Sequence, residues 1–328
     1  MKRYYSKANC LLFAFFTLFA CKKDNQFELN QVFEPFHFGI VGELYPSIKN
    51  EATLSIKIII PQESATSHLQ AYIELTDELQ AYLNGVLITN RETIIPYSKS
   101  ISLSLRNQEL GAEQNWTIYI QLESEAYGLG SWQLSANNLN VDRNFYADQY
   151  NTGENSINNC GPAVAAMACR WADYSFSESV MGIRNTIKTE GALWSTSNMI
   201  NYLKSRSIDA EMVYLGQVET IIKKHIDEGH ILILCLDMFY VQHNPDPIQK
   251  RGKFYTNRNQ GKGHFILVKG YRVVDNVFYL EVYDPNSSGL TYQLNGEPLG
   301  KDRYYSANEI KQATENWWNY AIVVSPKN

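Results

Sequence analysis

Along the chain, the pattern of apolar and polar positions changes texture near residue 140. Before it, short apolar or alternating segments recur at Ala52 to Ile60, Leu69 to Leu75, Ala81 to Ile88, Ser98 to Leu105, Trp116 to Leu122 and Ser131 to Leu134. Turn-forming stretches such as Pro61-Gln62-Glu63-Ser64, Leu83-Asn84-Gly85 and Gly128-Leu129-Gly130 separate them. Alternation puts every second side chain on one face of a strand, so this spacing predicts an antiparallel β-sandwich over residues 33–140. After the polar stretch Ala136 to Asn140 the period lengthens. Helices are predicted at Ala163 to Ala172, at Glu178 to Thr189, at Ser195 to Arg206 with Ser195 as N-cap, and at Val218 to Glu228 with Gly229 as its stop. Strands are predicted at Ile231 to Asp237, Phe265 to Tyr271, Val277 to Tyr283, Leu290 to Leu294 and Tyr320 to Val324. Helices first and an antiparallel sheet after them is an α+β arrangement, here over residues 141–328.

The length of 328 residues accommodates two such domains. The start of the chain adds a third kind of segment. Lys2, Arg3 and Lys7 surround the entry to an apolar run, Cys10 to Ala20, that is too short to span a bilayer and suits a signal-peptide core. It ends Leu18-Phe19-Ala20-Cys21, small residues before a cysteine, as in bacterial lipoprotein signals. The expectation is a signal peptide over residues 1–20, lipidation of Cys21, a linker over residues 21–32, and a lipid anchor to the bacterial cell envelope, in the outer membrane. The formal net charge is −5, and removing residues 1–20 makes it three charges more negative. An acidic chain with mixed charges gives no reason to expect nucleic acid as a partner. Beyond Cys21 the cysteines are Cys160, Cys169 and Cys235, which is not a disulfide framework, and neither a metal nor a cofactor is expected.

Three segments of the second domain carry candidate chemistry. Asn159-Cys160-Gly161-Pro162-Ala163 leads into a run of strong helix formers, and proline is tolerated in a first helical turn because its amide has no intrahelical partner there. Cys160 therefore falls at a helix start, where unpaired amides and the macrodipole favour a thiolate. Gly263-His264 opens a buried strand, and the next strand ends at Asp284-Pro285, a turn signal. A hairpin between these strands returns Asp284 to the end that carries His264, where a carboxylate orients an imidazole toward a sulfur. Cys169 in mid-helix and Cys235 in the apolar run Ile231 to Leu236 read as core. His230, which also opens a strand, and His243 are rival bases, but no hairpin brings His230 a carboxylate. The polar segment Phe239 to Lys262 before His264 is long for a compact domain, and reads equally as a substrate-contacting flap or a solvated loop.

These motifs resemble the papain-like cysteine peptidases of the bacteriocin-processing (double-glycine) type. The resemblance covers roughly residues 143–328 and rests on Asn-Cys-Gly-Pro-Ala with Met167, Gly-His-Phe-Ile-Leu-Val-Lys-Gly-Tyr, Val-Tyr-Asp-Pro and a closing segment from Trp317 to Val324. It implies a papain-like fold in which Cys160 is the nucleophile, His264 the base and Asp284 the orienting acid, acting on a peptide or protein substrate. It also implies a glutamine before the cysteine that helps hold the oxyanion. Gln149 stands eleven residues before Cys160, with Asn158 and Asn159 as alternative donors. The first domain resembles the immunoglobulin-like modules of surface lipoproteins by pattern alone; His37 and His68 in it are isolated. A papain-like amidase or acyl transferase would use the same triad, and a surface binding module would keep it as a vestige.

Overall fold

The computed structural model describes residues 32–41, 45–66, 68–95, 97, 100–188, 191–256 and 263–327. Cys21 and the predicted signal peptide lie outside the described residues, as does the end of the polar segment before His264. The chain is mixed α/β with several sheets and divides into two compact units, residues 1–121 and 122–328.

The first unit is built from strands β1 (His37–Ile40), β2 (Ser47–Asn50), β3 (Ser55–Ile60), β4 (Leu69–Glu74), β5 (Leu79–Leu83), β6 (Val86–Leu87), β7 (Ile94–Ile95), β8 (Ile101–Asn107) and β9 (Ala112–Leu122). They form a six-stranded sheet in the order β2-β3-β9-β8-β5-β6 and a three-stranded sheet in the order β1-β4-β7. Alternation is clearest in β9, where Gln114, Trp116, Ile118, Ile120 and Leu122 are buried. The segment Ala81 to Ile88 is a hairpin, because Asn84 and Gly85 both take positive φ and turn the chain between β5 and β6.

The second unit contains strands β10 (Gln133–Asn138), β11 (Ala210–Tyr214), β12 (Ile231–Leu236), β13 (His264–Val274), β14 (Val277–Tyr283), β15 (Arg303–Ser306) and β16 (Tyr320–Val324). Besides a single turn of helix at Glu123–Ala126, its helices are α1 (Cys160–Ala172), α2 (Val180–Ile187), α3 (Thr196–Ser205), α4 (Val218–Asp227) and α5 (Ala307–Glu315). The sheet order is β11-β16-β12-β13-β14-β15, with β10 also paired to β13. β13 is long enough to serve two partners on one edge: residues 264–268 pair with β12 and residues 270–274 pair with β10.

Several expectations are corrected by this topology. The segment Ser131 to Leu134, expected as the last strand of the first domain, overlaps β10 and belongs to the second unit's sheet, so the boundary falls near residue 121 rather than 140. Leu290 to Leu294 is not a strand: Ser288, Gly289 and Gly296 take positive φ, and the chain there makes one isolated bridge, Thr291 to Pro298. β11, β15 and α5 were not foreseen. α5 carries a full capping box, Ser306 with Glu309.

α1 is the central helix of the unit's core. Twelve of its residues are buried, all but Arg170, and a helix buried on every side needs small side chains to let its neighbours approach. Ala163, Ala165, Ala166 and Ala168 supply them.

Candidate active site

The three chemistry-bearing segments meet at one place. β13 and β14 form the expected hairpin through the two-residue turn Asp275-Asn276, both at positive φ, with Val274 opposite Val277. His264 is the first residue of β13 and Asp284 follows the last residue of β14, so both lie at the same end of the hairpin. α1 packs against β13 and presents its first residue, Cys160, to that end.

The His264 ring donates from Nε2 to Oδ1 of Asp284 at 2.8 Å, which leaves its other nitrogen to serve the Cys160 sulfur that borders the same cleft. Asp284 is fully buried and fully satisfied. Its Oδ1 also accepts the Asn286 amide at 2.9 Å, and its Oδ2 accepts the hydroxyls of Tyr305 at 2.8 Å and Tyr255 at 3.0 Å. Four donors on one buried carboxylate hold it ionised and fixed. Burial works against the charge of Asp284, yet His264 and these donors hold it below the usual carboxylate range.

The same contest decides the other two groups. Burial disfavours the His264 imidazolium, but the charge and hydrogen bond of Asp284 and the contact with Cys160 push it up to about 10. Burial likewise disfavours a Cys160 thiolate, but His264 and the backbone amides of Phe265 and Gly161 lower its pKa below the ordinary thiol value. Both directions favour a thiolate–imidazolium pair. The contrast with the other thiols is sharp: burial pushes Cys169 and Cys235 up to about 12.

Cys160 is 9% exposed and is reached through a cleft with two unlike halves. One half, about 460 Å³, is polar and includes Gln149, Tyr255, His264, Asn286 and Ser288. The other, about 470 Å³, is walled by Trp194, Trp317 and Trp318 with Cys235. Cys160, Leu193 and Gly263 border both.

Gln149 thus reaches the cleft despite its distance in sequence, held by a bond from its backbone amide to the Pro285 carbonyl at 2.7 Å. Its side-chain Nε2 donates to the carbonyls of Ser156 at 3.3 Å and Ile157 at 3.2 Å. The side chains of the alternative donors are bonded as well, and of the two only Asn158 borders the cleft. Asn159 Nδ2 is bound to Thr152 and its Oδ1 accepts from the buried Arg184 at 2.7 Å, while Asn158 Nδ2 donates to the Gly191 carbonyl at 2.9 Å.

Both rival histidines lie elsewhere. His230 precedes β12 at the end far from Leu236, which is the residue paired with His264, and its Nδ1 contacts Ser325 Oγ at 3.1 Å. His243 contacts the Phe254 carbonyl at 3.1 Å. Cys169 is core, as expected. Cys235 is buried too, but its register opposite Phe265 brings it to the cleft wall beside Trp317. Tyr255 and Tyr305 were not foreseen, because a tyrosine in a loop or strand gives no local sign of a carboxylate partner far along the chain.

No family model matches the chain, and no curated protein matches it. Among solved structures it is similar to the peptidase domain of Streptococcus ComA, a bifunctional ABC transporter involved in a quorum-sensing pathway. That likeness has 15% identity and a TM-score of 0.34, and covers 52% of this chain and 93% of that one. It is also similar to a C39-like peptidase from Bacillus anthracis at 15% identity and a TM-score of 0.37, over 58% of this chain and 97% of that one.

Proposed function

We propose that this chain is a cysteine peptidase of the papain-like, bacteriocin-processing-peptidase-like kind, with Cys160 as nucleophile, His264 as acid and base, and Asp284 as the orienting carboxylate. The observation that carries the proposal is the convergence of the first residue of α1 and the His264 ring on one cleft, with that ring bonded to a buried, four-donor carboxylate. The thiolate attacks a peptide carbonyl, the imidazolium protonates the leaving amine to release it, and the thioester left on sulfur is hydrolysed by water that the neutral ring activates. The Cys160 amide, among the unpaired donors at the start of α1, is the first oxyanion donor. Gln149 is the second, once a bound substrate draws its amide away from the Ser156 and Ile157 carbonyls.

The peptidase is preferred over a vestigial triad because a buried carboxylate, a buried imidazole and a lowered thiol pKa are costly to maintain without use. An amidase or acyl transferase uses the same relay and differs only in acyl group and acceptor. The remaining parts of the proposal come from sequence: Cys21 lipidation anchors the chain in the cell envelope, at the outer membrane, and the first unit is an immunoglobulin-like spacer or binding module. The test is cleavage of a diverse peptide library by the protein lacking residues 1–21 beside Cys160→Ala. Cleavage abolished by the substitution, with circular dichroism unchanged, supports the reading. Equal cleavage by the variant contradicts it.

A further inference from the structure

The polar segment before His264, described as far as Thr256, is docked rather than loose. Gly252 donates its amide to the Tyr304 carbonyl at 2.8 Å, and the Tyr304 amide donates to the Lys250 carbonyl at 2.9 Å, so this stretch runs beside β15. Gly252 takes φ +71°, and a Cβ there would lie 2.5 Å from the Gln242 carbonyl oxygen. Phe254 is buried with Tyr292 and Leu299. Tyr255, the next residue, packs on Phe254 with ring centroids 5.2 Å apart and planes at 82°.

That anchoring brings Tyr255 to two places at once. Its hydroxyl donates to Oδ2 of Asp284 at 3.0 Å, and its ring stands at 74° to the His264 ring with centroids 6.3 Å apart. Tyr305, the other phenol on Asp284, is fully buried and does not border the cleft, whereas Tyr255 is half-buried and lines its polar half. Burial and the Asp284 charge push the Tyr255 phenol well up, so it remains a donor while His264 titrates.

Two effects of opposite sign follow. A donor on Oδ2 draws off part of the carboxylate's charge and loosens its hold on the imidazolium. A ring that keeps water away strengthens the same attraction, because charges attract more in a medium of low dielectric constant. The other titratable groups around the pair are Cys160, Tyr305, Tyr146 and Lys253. The Tyr146 hydroxyl donates to the Asp284 carbonyl at 2.9 Å, and Lys253 Nζ stands 6.0 Å from the Tyr255 ring centroid.

Resting on the peptidase reading, we infer that Tyr255 is a positioning residue: its hydroxyl tempers the Asp284 charge and its ring shields the His264–Asp284 bond from the water of the cleft. The test is an NMR titration of His264 in protein lacking residues 1–21 and labelled at histidine Cε1, the resonance being assigned by its loss in His264→Ala. Tyr255→Phe keeps the ring and removes the donor, and the His264 midpoint should rise by about half a pH unit. Tyr255→Ala admits water, which replaces the donor and screens the pair. The midpoint should then fall by about one pH unit, and kcat/KM by about tenfold. A residue that only filled space would not move the midpoint in opposite directions. The nearly isosteric Tyr255→Phe decides the matter if Tyr255→Ala does not fold. A midpoint unchanged in both variants, or one that falls in Tyr255→Phe, overturns the inference. Hydrolysis unaffected by Cys160→Ala contradicts the peptidase reading instead, since the titration needs no turnover.

Discussion

At the scale of single residues, the work is divided between a group that moves a proton and a group that holds it in place. His264→Ala removes the base and the charge that stabilises the thiolate, and turnover should fall by about 100- to 10,000-fold. Asp284→Asn should cost less, since the amide oxygen still accepts from Nε2 and the Tyr255 and Tyr305 hydroxyls can rotate to accept from the new NH₂. The direction of the pH profile follows from the two shifts. Thiolate is present above the lowered pKa of Cys160, and imidazolium is present below about 10, so kcat/KM should be bell-shaped with an alkaline limb near pH 10. Asp284→Asn removes the carboxylate charge that raises His264, and that limb should move to lower pH. An unmoved limb would mean that Asp284 does not set the imidazole's charge. Cys160, His264 and Asp284 were legible in the sequence because each sits at an element's end with a local signal: Pro162 in a first turn, Gly263 before a strand, Pro285 after one. Tyr255 and Tyr305 reach Asp284 across 29 and 21 residues, and nothing local to either marks the contact.

At the scale of elements, α1 and the β13–β14 hairpin carry the site, and their meeting depends on small residues. Gly161 is the point of closest approach, where an added methyl meets the Trp194 side chain near its backbone and leaves it little room to turn. Gly161→Ala should cost about 1–3 kcal/mol in urea unfolding, as overpacking of a close contact does, and should lower kcat/KM by displacing Trp194 from the cleft. Full stability with full activity would show that Trp194 yields freely. The hairpin was readable because two apolar segments, Phe265 to Tyr271 and Val277 to Tyr283, follow each other closely, and α3 and α4 because their caps are explicit at Ser195 and Gly229. β15 was hidden in a tyrosine-rich stretch, Arg303–Ser306, with no alternation to read, since all four residues are buried. The placement of Cys235 was hidden for a related reason: an apolar run shows burial, but only the register with Phe265 shows which face of the strand meets the cleft.

At the scale of the whole molecule, the division into two units was legible but its position was not. A polar stretch at Ala136 to Asn140 looks like a linker, yet Asn138 pairs with Gly270, Leu139 donates its amide to the Lys269 carbonyl, and Asn140 accepts from Lys269 Nζ at 2.8 Å. Lys269 is fully buried beside Glu281 and Asp302, so Asn140 belongs to a charge network inside the second unit. A fragment of residues 122–328 should therefore fold and retain hydrolysis. A fragment of residues 141–328, cut where the sequence suggests, loses β10 and the Asn140 partner of a buried lysine. It should unfold at lower urea concentration, since a lost bond to a buried charge alone costs about 1.5–3 kcal/mol. Equal midpoints for the two fragments would mean that β10 is dispensable to the sheet.

Catalysis turns on the ionisation of one thiol, and the rate of alkylation of Cys160 against pH measures it most directly. With iodoacetamide and peptide mapping, Cys160 should react first, with a midpoint below the ordinary thiol range, while Cys169 and Cys235 stay unmodified near neutral pH. His264→Ala should move that midpoint upward. A Cys160 that titrates as an ordinary thiol, or reacts no faster than Cys169 and Cys235, would contradict the thiolate–imidazolium pair and the peptidase built on it.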